Sequence, residues 1–201
     1  MSATRARLTA GERRQAVLDS ACRAFFESSY HGATTAGIAR EAGISEPILY
    51  RHFGSKRDLY IACLEEAWRS LREFVEETVA EDSSGCLGKI ADAYMKKQGN
   101  LRLVDMWIQA LNEVSDPAIA KAVRRQIREV HDFFADVIRR GQDEGEIHPD
   151  RDPEAEAWIF IAGGLLVTID HRLGGLLGGD LERVRASRRE WMAPPGAPAA
   201  S

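Results

Sequence analysis

Between Thr34 and Lys56 the sequence gathers hydroxyl, carboxylate, phenol, imidazole and ammonium groups at short intervals. Ser45, Glu46, Pro47 and Ile48 follow one another at the start of a short segment. A hydroxyl and a carboxylate can meet the donors and acceptors that base edges show in the major groove, and the apolar pair can meet thymine methyls. Tyr50, His52 and Lys56 come next, and such groups suit phosphate oxygens, which position a protein on a duplex without carrying sequence information. Each has a structural alternative: Tyr50 packing on the first helix, His52 satisfying a helix carbonyl, Glu46 a solvated first-turn acid that phosphates repel.

Other chemistry finds less support. HExxH, GxSxG, P-loop and GxGxxG strings are absent, so an enzyme is not expected. Cys22, Cys63 and Cys86 lack CxxC spacing, which argues against a disulfide framework or structural zinc and for small buried apolar residues. His148, Asp150 and Asp152 cluster, but Asp152 before Pro153 and Glu154 is an N-cap signature that explains the acids without metal. His131-Asp132 and Asp170-His171 are adjacent pairs whose members should point apart on a helix. Neither a cofactor nor a metal is expected.

Charge localises the chemistry. The 201 residues carry a net charge of -4, yet residues 1 to 57 hold nine Lys/Arg against five acids, a balance of +4 that leaves -8 for the remainder. The N-terminal quarter therefore has the electrostatic footprint of a phosphate-binding surface, and the rest is a poor one. Arg5 and Arg7 lie on a basic arm that can reach a minor groove. With 44 % hydrophobic and 29 % charged residues, the chain reads as a soluble globular protein. It has no apolar leader, and its longest apolar run, 157–167, is far short of the ~20 residues that span a bilayer. A cytoplasmic location and no membrane partner are expected.

The elements that must position these groups are helical, because apolar residues recur every three or four positions. Thr9 and Glu12 form a capping box ahead of the stripe Val17, Leu18, Ala21, Phe25 and Phe26. That first helix should end near Ser28. Thr34 or Thr35 caps a second, which carries Ile38, Ala39 and Ala42 and stops at Gly43. Ser45 caps a third with Pro47 in its first turn, docked through Ile44, Leu49 and Phe53. Helix, glycine turn, helix is the helix-turn-helix pattern. A fourth helix runs from about Ser55 to Val79 with Leu59, Cys63, Leu64, Trp68, Leu71 and Val75 as its buried face, followed by a loop over 81–88. Further helices are expected near 87–97, 101–114, 117–141, 153–173 and 181–191.

The string Ile38-Ala39, Ala42-Gly43-Ile44-Ser45, Leu49-Tyr50-Arg51-His52-Phe53 and Ser55-Lys56 resembles the helix-turn-helix of the tetracycline-repressor-like (TetR) family. Outside that stretch only the helical pattern and length are similar. The resemblance implies an all-α fold with an N-terminal three-helix helix-turn-helix domain and a larger C-terminal helical ligand-binding and dimerisation domain. The expected division is a flexible arm over 1–8, the DNA-binding domain over 9–57, the helical domain over 58–192 and a disordered tail over 193–201. It further implies that Thr34 and Thr35 touch phosphate, that Ser45, Glu46, Pro47 and Ile48 face bases, and that Tyr50, His52 and Lys56 hold the backbone. Two departures stand out. Ser29 replaces a glycine that often ends the first helix, and Ala36 and Gly37 replace longer side chains in the second.

One helix-turn-helix makes too few contacts to select a site, so a homodimer on a pseudo-palindromic operator is expected, with reading helices about 34 to 36 Å apart. Trp158, Ala162, Gly163, Leu166 and Ile169 are candidate interface residues on a helix whose apolar residues cover more than one face, and the resemblance implies that the helix over 181–191, with Trp191, completes that interface. Tyr94, Arg102, Met106, Trp107, Ala110, Ile127, His131, Phe134 and Phe160 are candidate lining for a small apolar or aromatic effector. The helix from Leu101 is either buried all round or exposes one face to a cavity. The reading is thus a ligand-responsive regulator, a repressor by resemblance; the alternative is a constitutive or nucleoid-type DNA-binding protein without an effector.

Overall fold

A computed structural model describes residues 9–81, 87–90 and 103–196, and among them every regular element is helical. They are α1 (Ala10–Gly32), α2 (Thr35–Glu41), α3 (Glu46–His52), α4 (Lys56–Glu81), α5 (Leu103–Ala110) with a 3-10 turn (Leu111–Glu113), α6 (Pro117–Asp143), α7 (Pro153–Arg172) and α8 (Asp180–Met192). Two compact units result. The first runs to Glu66 and adds Asp105–Val123; the second combines Ala67–Val104 with the chain from Arg124 onward.

In the first unit, α1 opens on the capping box: the Glu12 amide donates to Thr9 Oγ1 at 3.2 Å and the Thr9 amide to Glu12 Oε2 at 2.7 Å. Bonding from the Thr9 backbone, then from its side chain, holds the Glu12 carboxyl below its ordinary range. Val17, Leu18, Ala21 and Phe25 are buried and Phe26 is half-buried. With Ile38, Ala39, Leu49 and Phe53 they form the core under the helix-turn-helix. Leu59, Cys63 and Leu64 on the early turns of α4 are buried in this unit, as expected. Burial pushes the Cys63 thiol up, which suits an inert structural cysteine.

The end of α1 is a kink. Ser29 has φ 63° and ψ 177°, a region almost confined to glycine, and one more turn carries the helix to Gly32. Beyond the kink Tyr30 lies against Phe25 and Tyr60, with ring centroids 6.1 and 5.0 Å away, so aromatic packing on its far side holds the strained residue. Tyr60 itself is fully buried, burial raises its phenol, and its hydroxyl has no partner among the described residues.

In the second unit, Trp68, Leu71 and Val75 continue the buried face of α4, and α6 buries Val130, Phe134, Ala135 and Ile138. Beyond Asp143 the chain turns back through Gly145, with φ 77°, and the amides of Glu146 and Ile147 bond Gly141 O at 2.8 and 3.0 Å. Asp152 then caps α7 by accepting from the amides of Glu154 and Ala155 at 3.0 and 3.4 Å. Glu156, nearly fully buried, accepts from Trp191 Nε1 at 2.8 Å and from Arg188, tying α7 to α8.

Several boundaries differ from expectation. α4 reaches Glu81, and Leu87 and Gly88 are helical in the stretch 87–90, where Ile90 is buried, so the loop expected over 81–88 is helical at its described ends. The helix expected over 101–114 tightens after Ala110 into the 3-10 turn, which leaves Leu111 54 % exposed while Leu103, Met106, Trp107 and Ala110 are buried. Residues 1–8, with Arg5 and Arg7, Cys86, the remainder of the helix expected over 87–97, and 197–201 lie outside the described residues.

Relieving the kink should stabilise the protein. Ser29→Gly is expected to raise unfolding stability by about 1 kcal/mol and the melting temperature by roughly 2 to 4 °C in a thermal denaturation scan. A lowered melting temperature would show that Ser29 is unstrained.

Candidate nucleic-acid interface

α2 starts at Thr34, which has extended backbone angles and accepts from the Gly37 amide at 3.1 Å. It ends in a Schellman turn: Gly43 has φ 70°, its amide bonds Arg40 O at 3.2 Å, and the Ile44 amide bonds Ala39 O at 3.0 Å. A residue in this left-handed conformation satisfies the last carbonyls and reverses the chain at little cost when it is glycine. α3 follows at once. Its Ser45 is the N-cap by position, with the amides of Ile48 and Leu49 bonding its carbonyl at 3.0 and 3.2 Å, but the expected side-chain cap is not made. Pro47 in the first turn costs nothing, since the amide it lacks has no intrahelical partner there.

The seven residues of α3 divide cleanly. Leu49 is fully buried and Phe53, just beyond the helix, is buried with the Arg14 guanidinium 4.8 Å from its ring centroid. Ser45 and Pro47 are exposed, and Glu46 and Ile48 half-buried. The surface thus offers hydroxyl, carboxylate and apolar groups side by side, the mixture that can meet base edges. Tyr50 is 42 % exposed. His52 is half-buried, and Lys56 places its ammonium 4.9 Å from the Tyr30 ring centroid at the start of α4.

Thr35 is engaged within the protein. It is buried, its hydroxyl donates to Glu46 Oε1, and the Tyr50 hydroxyl lies 3.1 Å from Thr35 Oγ1. The signal for this was present: Thr35 stands three and four residues before Ile38 and Ala39, so it shares their buried face. Glu46 and Tyr50, four apart on α3, likewise share a face.

Against this geometry the comparisons are specific. Residues 17–63 match the family model "Bacterial regulatory proteins, tetR family", and residues 87–163 match "BetI-type transcriptional repressor, C-terminal". The chain belongs to the TetR family.

Among curated relatives of this TetR-family chain, the HTH-type transcriptional activator FasR of Mycolicibacterium smegmatis is 46 % identical over 59 residues, 29 % of this chain and 27 % of that protein. The chain thus spans about a quarter of that relative's length. A TetR-family regulator from Rhodococcus sp. superposes with a TM-score of 0.77 at 20 % identity, over 91 % of this chain and all of that one. A transcriptional regulator from Saccharomonospora viridis, solved in complex with choline, gives 0.69 at 24 % identity, over 90 % of this chain and 95 % of that one. Both likenesses concern the fold.

The candidate effector residues of the TetR-family chain separate. Tyr94 and Arg102 lie outside the described residues. Met106, Trp107 and Ala110 are buried in the first unit. Ile127, His131, Phe134 and Phe160 belong to the second, where Phe134 and Phe160 sit with ring centroids 4.4 Å apart. Trp68 and Phe133, which sequence reasoning left out of the set, extend that aromatic run, with Phe133 5.4 Å from Trp68 and 5.6 Å from Phe134. A cleft of about 210 Å³ borders the run, lined by Arg72, Glu76, Phe133, Asp136, Val137 and Arg140.

His131 corrects a second expectation. Its Nδ1 is 2.9 Å from Asp132 Oδ1, so this adjacent pair does meet, because a ring held beneath Trp158 can lean toward its neighbour. Nε2 lies 3.1 Å from the carbonyl of Glu154 and 3.5 Å from its carboxylate. One acid thus lies beside each ring nitrogen.

The candidate dimer residues lie outward on the single chain. Trp158 is 45 % exposed, Ile169 44 % and Trp191 50 %; Ala162 and Gly163 are exposed and Leu166 is half-buried.

The two caps of the helix-turn-helix should respond differently to truncation. Thr34→Ala is expected to cost about 1 kcal/mol in urea denaturation, because it removes the bond to Gly37, whereas Ser45→Ala should change stability by less than about 0.5 kcal/mol. Equal losses would mean that Ser45 caps α3 in solution.

Proposed function

We propose that this TetR-family chain is a sequence-specific transcriptional regulator, cytoplasmic, that binds a pseudo-palindromic operator as a homodimer and is released by a small apolar or aromatic effector. One observation carries the DNA-reading part: α3 spends Leu49 and the adjoining Phe53 on the core and leaves Ser45 and Pro47 exposed, with Glu46 and Ile48 half-buried beside them. His52 and Lys56 serve as phosphate contacts beside that edge, within the +4 segment.

Homodimerisation is supported by the apolar groups that the single chain leaves uncovered on α7 and α8. Three large side chains, each close to half exposed, are more than a solvated helix requires, and a two-fold interface would bury them against themselves. It would also set two reading helices about 34 to 36 Å apart, one turn of the duplex.

An effector is supported by the aromatic run of the second unit, Trp68, Phe133, Phe134 and Phe160, rings of the kind that line sites for small apolar or aromatic ligands. The bound choline of the Saccharomonospora viridis regulator supports a small-molecule effector in principle. α4 belongs to both units, so a ligand that binds one arrangement of this helix more tightly would shift operator affinity, by a coupling of about 1 to 3 kcal/mol. Repression follows the name of the C-terminal family model; the FasR relative is an activator.

Three measurements test the reading. In competition at fixed salt, the protein should prefer a selected palindrome over random duplex by about a thousandfold or more, and Lys56→Ala should weaken all duplexes alike while reducing the salt slope by about one. No preference would favour a nucleoid-type binder. In sedimentation, Ile169→Glu should convert dimer to folded monomer and abolish tight operator binding; a persistent dimer would move the interface elsewhere. A broad effector panel without influence on operator binding would favour a constitutive regulator.

A further inference from the structure

The network under α3 carries a consequence for base selection, resting on the reading that α3 faces DNA. The Thr35 hydroxyl has one proton, which it gives to Glu46 Oε1; the Tyr50 hydroxyl 3.1 Å from Thr35 Oγ1 is therefore the donor to Thr35. The order Tyr50 to Thr35 to Glu46 fixes one carboxylate oxygen from behind. The other, Oε2, has no partner among the described residues. Thr35 is buried and cannot swing away.

The surroundings offer little else that is both polar and fixed. On α2 the exposed positions hold Ala36, Arg40 and Glu41, of which Glu41 is paired with Arg23, and Thr34 Oγ1 is engaged with the Gly37 amide. On α3 the Ser45 hydroxyl makes no cap bond. A carboxylate near phosphates is repelled, so Glu46 weakens general affinity for DNA and is compensated only where a base presents an amino group. In the major groove, an acidic side chain pairs with the exocyclic amino group of cytosine.

We propose that Thr35 and Tyr50 are positioning residues that hold Glu46 as a preset acceptor for the cytosine amino group at one base pair of each half-site. Thr35 then acts through Glu46, with no contact to phosphate. Tyr50 likewise commits its proton to the protein interior.

Selection from randomised duplex with the full-length protein tests this, comparing wild type with Glu46→Gln, Thr35→Val, Thr35→Ser and Tyr50→Phe. Wild type should prefer cytosine at one position per half-site by about tenfold to a hundredfold. Glu46→Gln should lose that preference or move it toward adenine, whose N6 and N7 suit an amide. Thr35→Val and Tyr50→Phe should weaken the same position and leave the others intact, and Thr35→Ser should restore it. The inference is overturned if Glu46→Gln selects the wild-type site, or if Thr35→Val and Tyr50→Phe weaken all sequences alike and lower the salt slope, as lost phosphate contacts do. A wild type that selects no sequence would instead overturn the DNA-reading proposal and this inference with it.

Discussion

A seven-residue helix cannot hold itself together in water, because nucleation costs more than so few hydrogen bonds return. α3 exists because Leu49 and Phe53 dock on the core that α1 and α2 supply through Val17, Leu18, Ala21, Phe25, Ile38 and Ala39. The contact network joins all three helices pairwise, so none of them is placed by local preference alone. With burial settling which side of α3 faces inward, the opposite side is settled too. Ser45 and Pro47 point outward because Leu49 points in.

The polar side of the same junction adds precision that apolar packing cannot. Leu49 fixes where α3 lies, but a glutamate side chain retains rotamers that packing alone leaves open. The buried hydroxyl of Thr35 removes that freedom for Glu46, much as a second layer of hydrogen bonds holds a reactive group in other binding sites. α2 and α3 are thus joined twice, through the Schellman turn at Gly43 and through this network.

The second unit solves a different problem. Glu156 is buried at α7 with Arg188 and Trp191 of α8 as partners, which joins the two helices without covering their outer faces. Burying an acid in this way is costly unless it is fully paired; here a guanidinium and an indole supply the pairing. Among the uncovered side chains are the apolar Trp158, Ile159, Ile169 and Trp191, and that combination of satisfied interior and apolar exterior suits an assembly of two chains.

Much of the helix-turn-helix unit was legible from residues: the caps at Thr9 and Thr34, the turn at Gly43, and the buried faces of α1 and α4 follow from spacing and side-chain type, as does the cap at Asp152 in the second unit. Ser29 was legible as an anomaly, though not as a kink held by Tyr30. The burial of Thr35 is legible in its register with Ile38 and Ala39, but its bond to Glu46 is not, since that depends on where α3 docks. The contact between His131 and Asp132 was not legible, since it depends on Trp158 from another helix, and neither was the 3-10 tightening after Ala110. The central claim is that the edge from Ser45 to Ile48 reads bases, and a crystal structure of the protein on its selected duplex tests it most directly. That structure should place both copies of the edge in successive major grooves about 34 to 36 Å apart. A duplex held by other surfaces, with α3 outside the groove, would contradict the account.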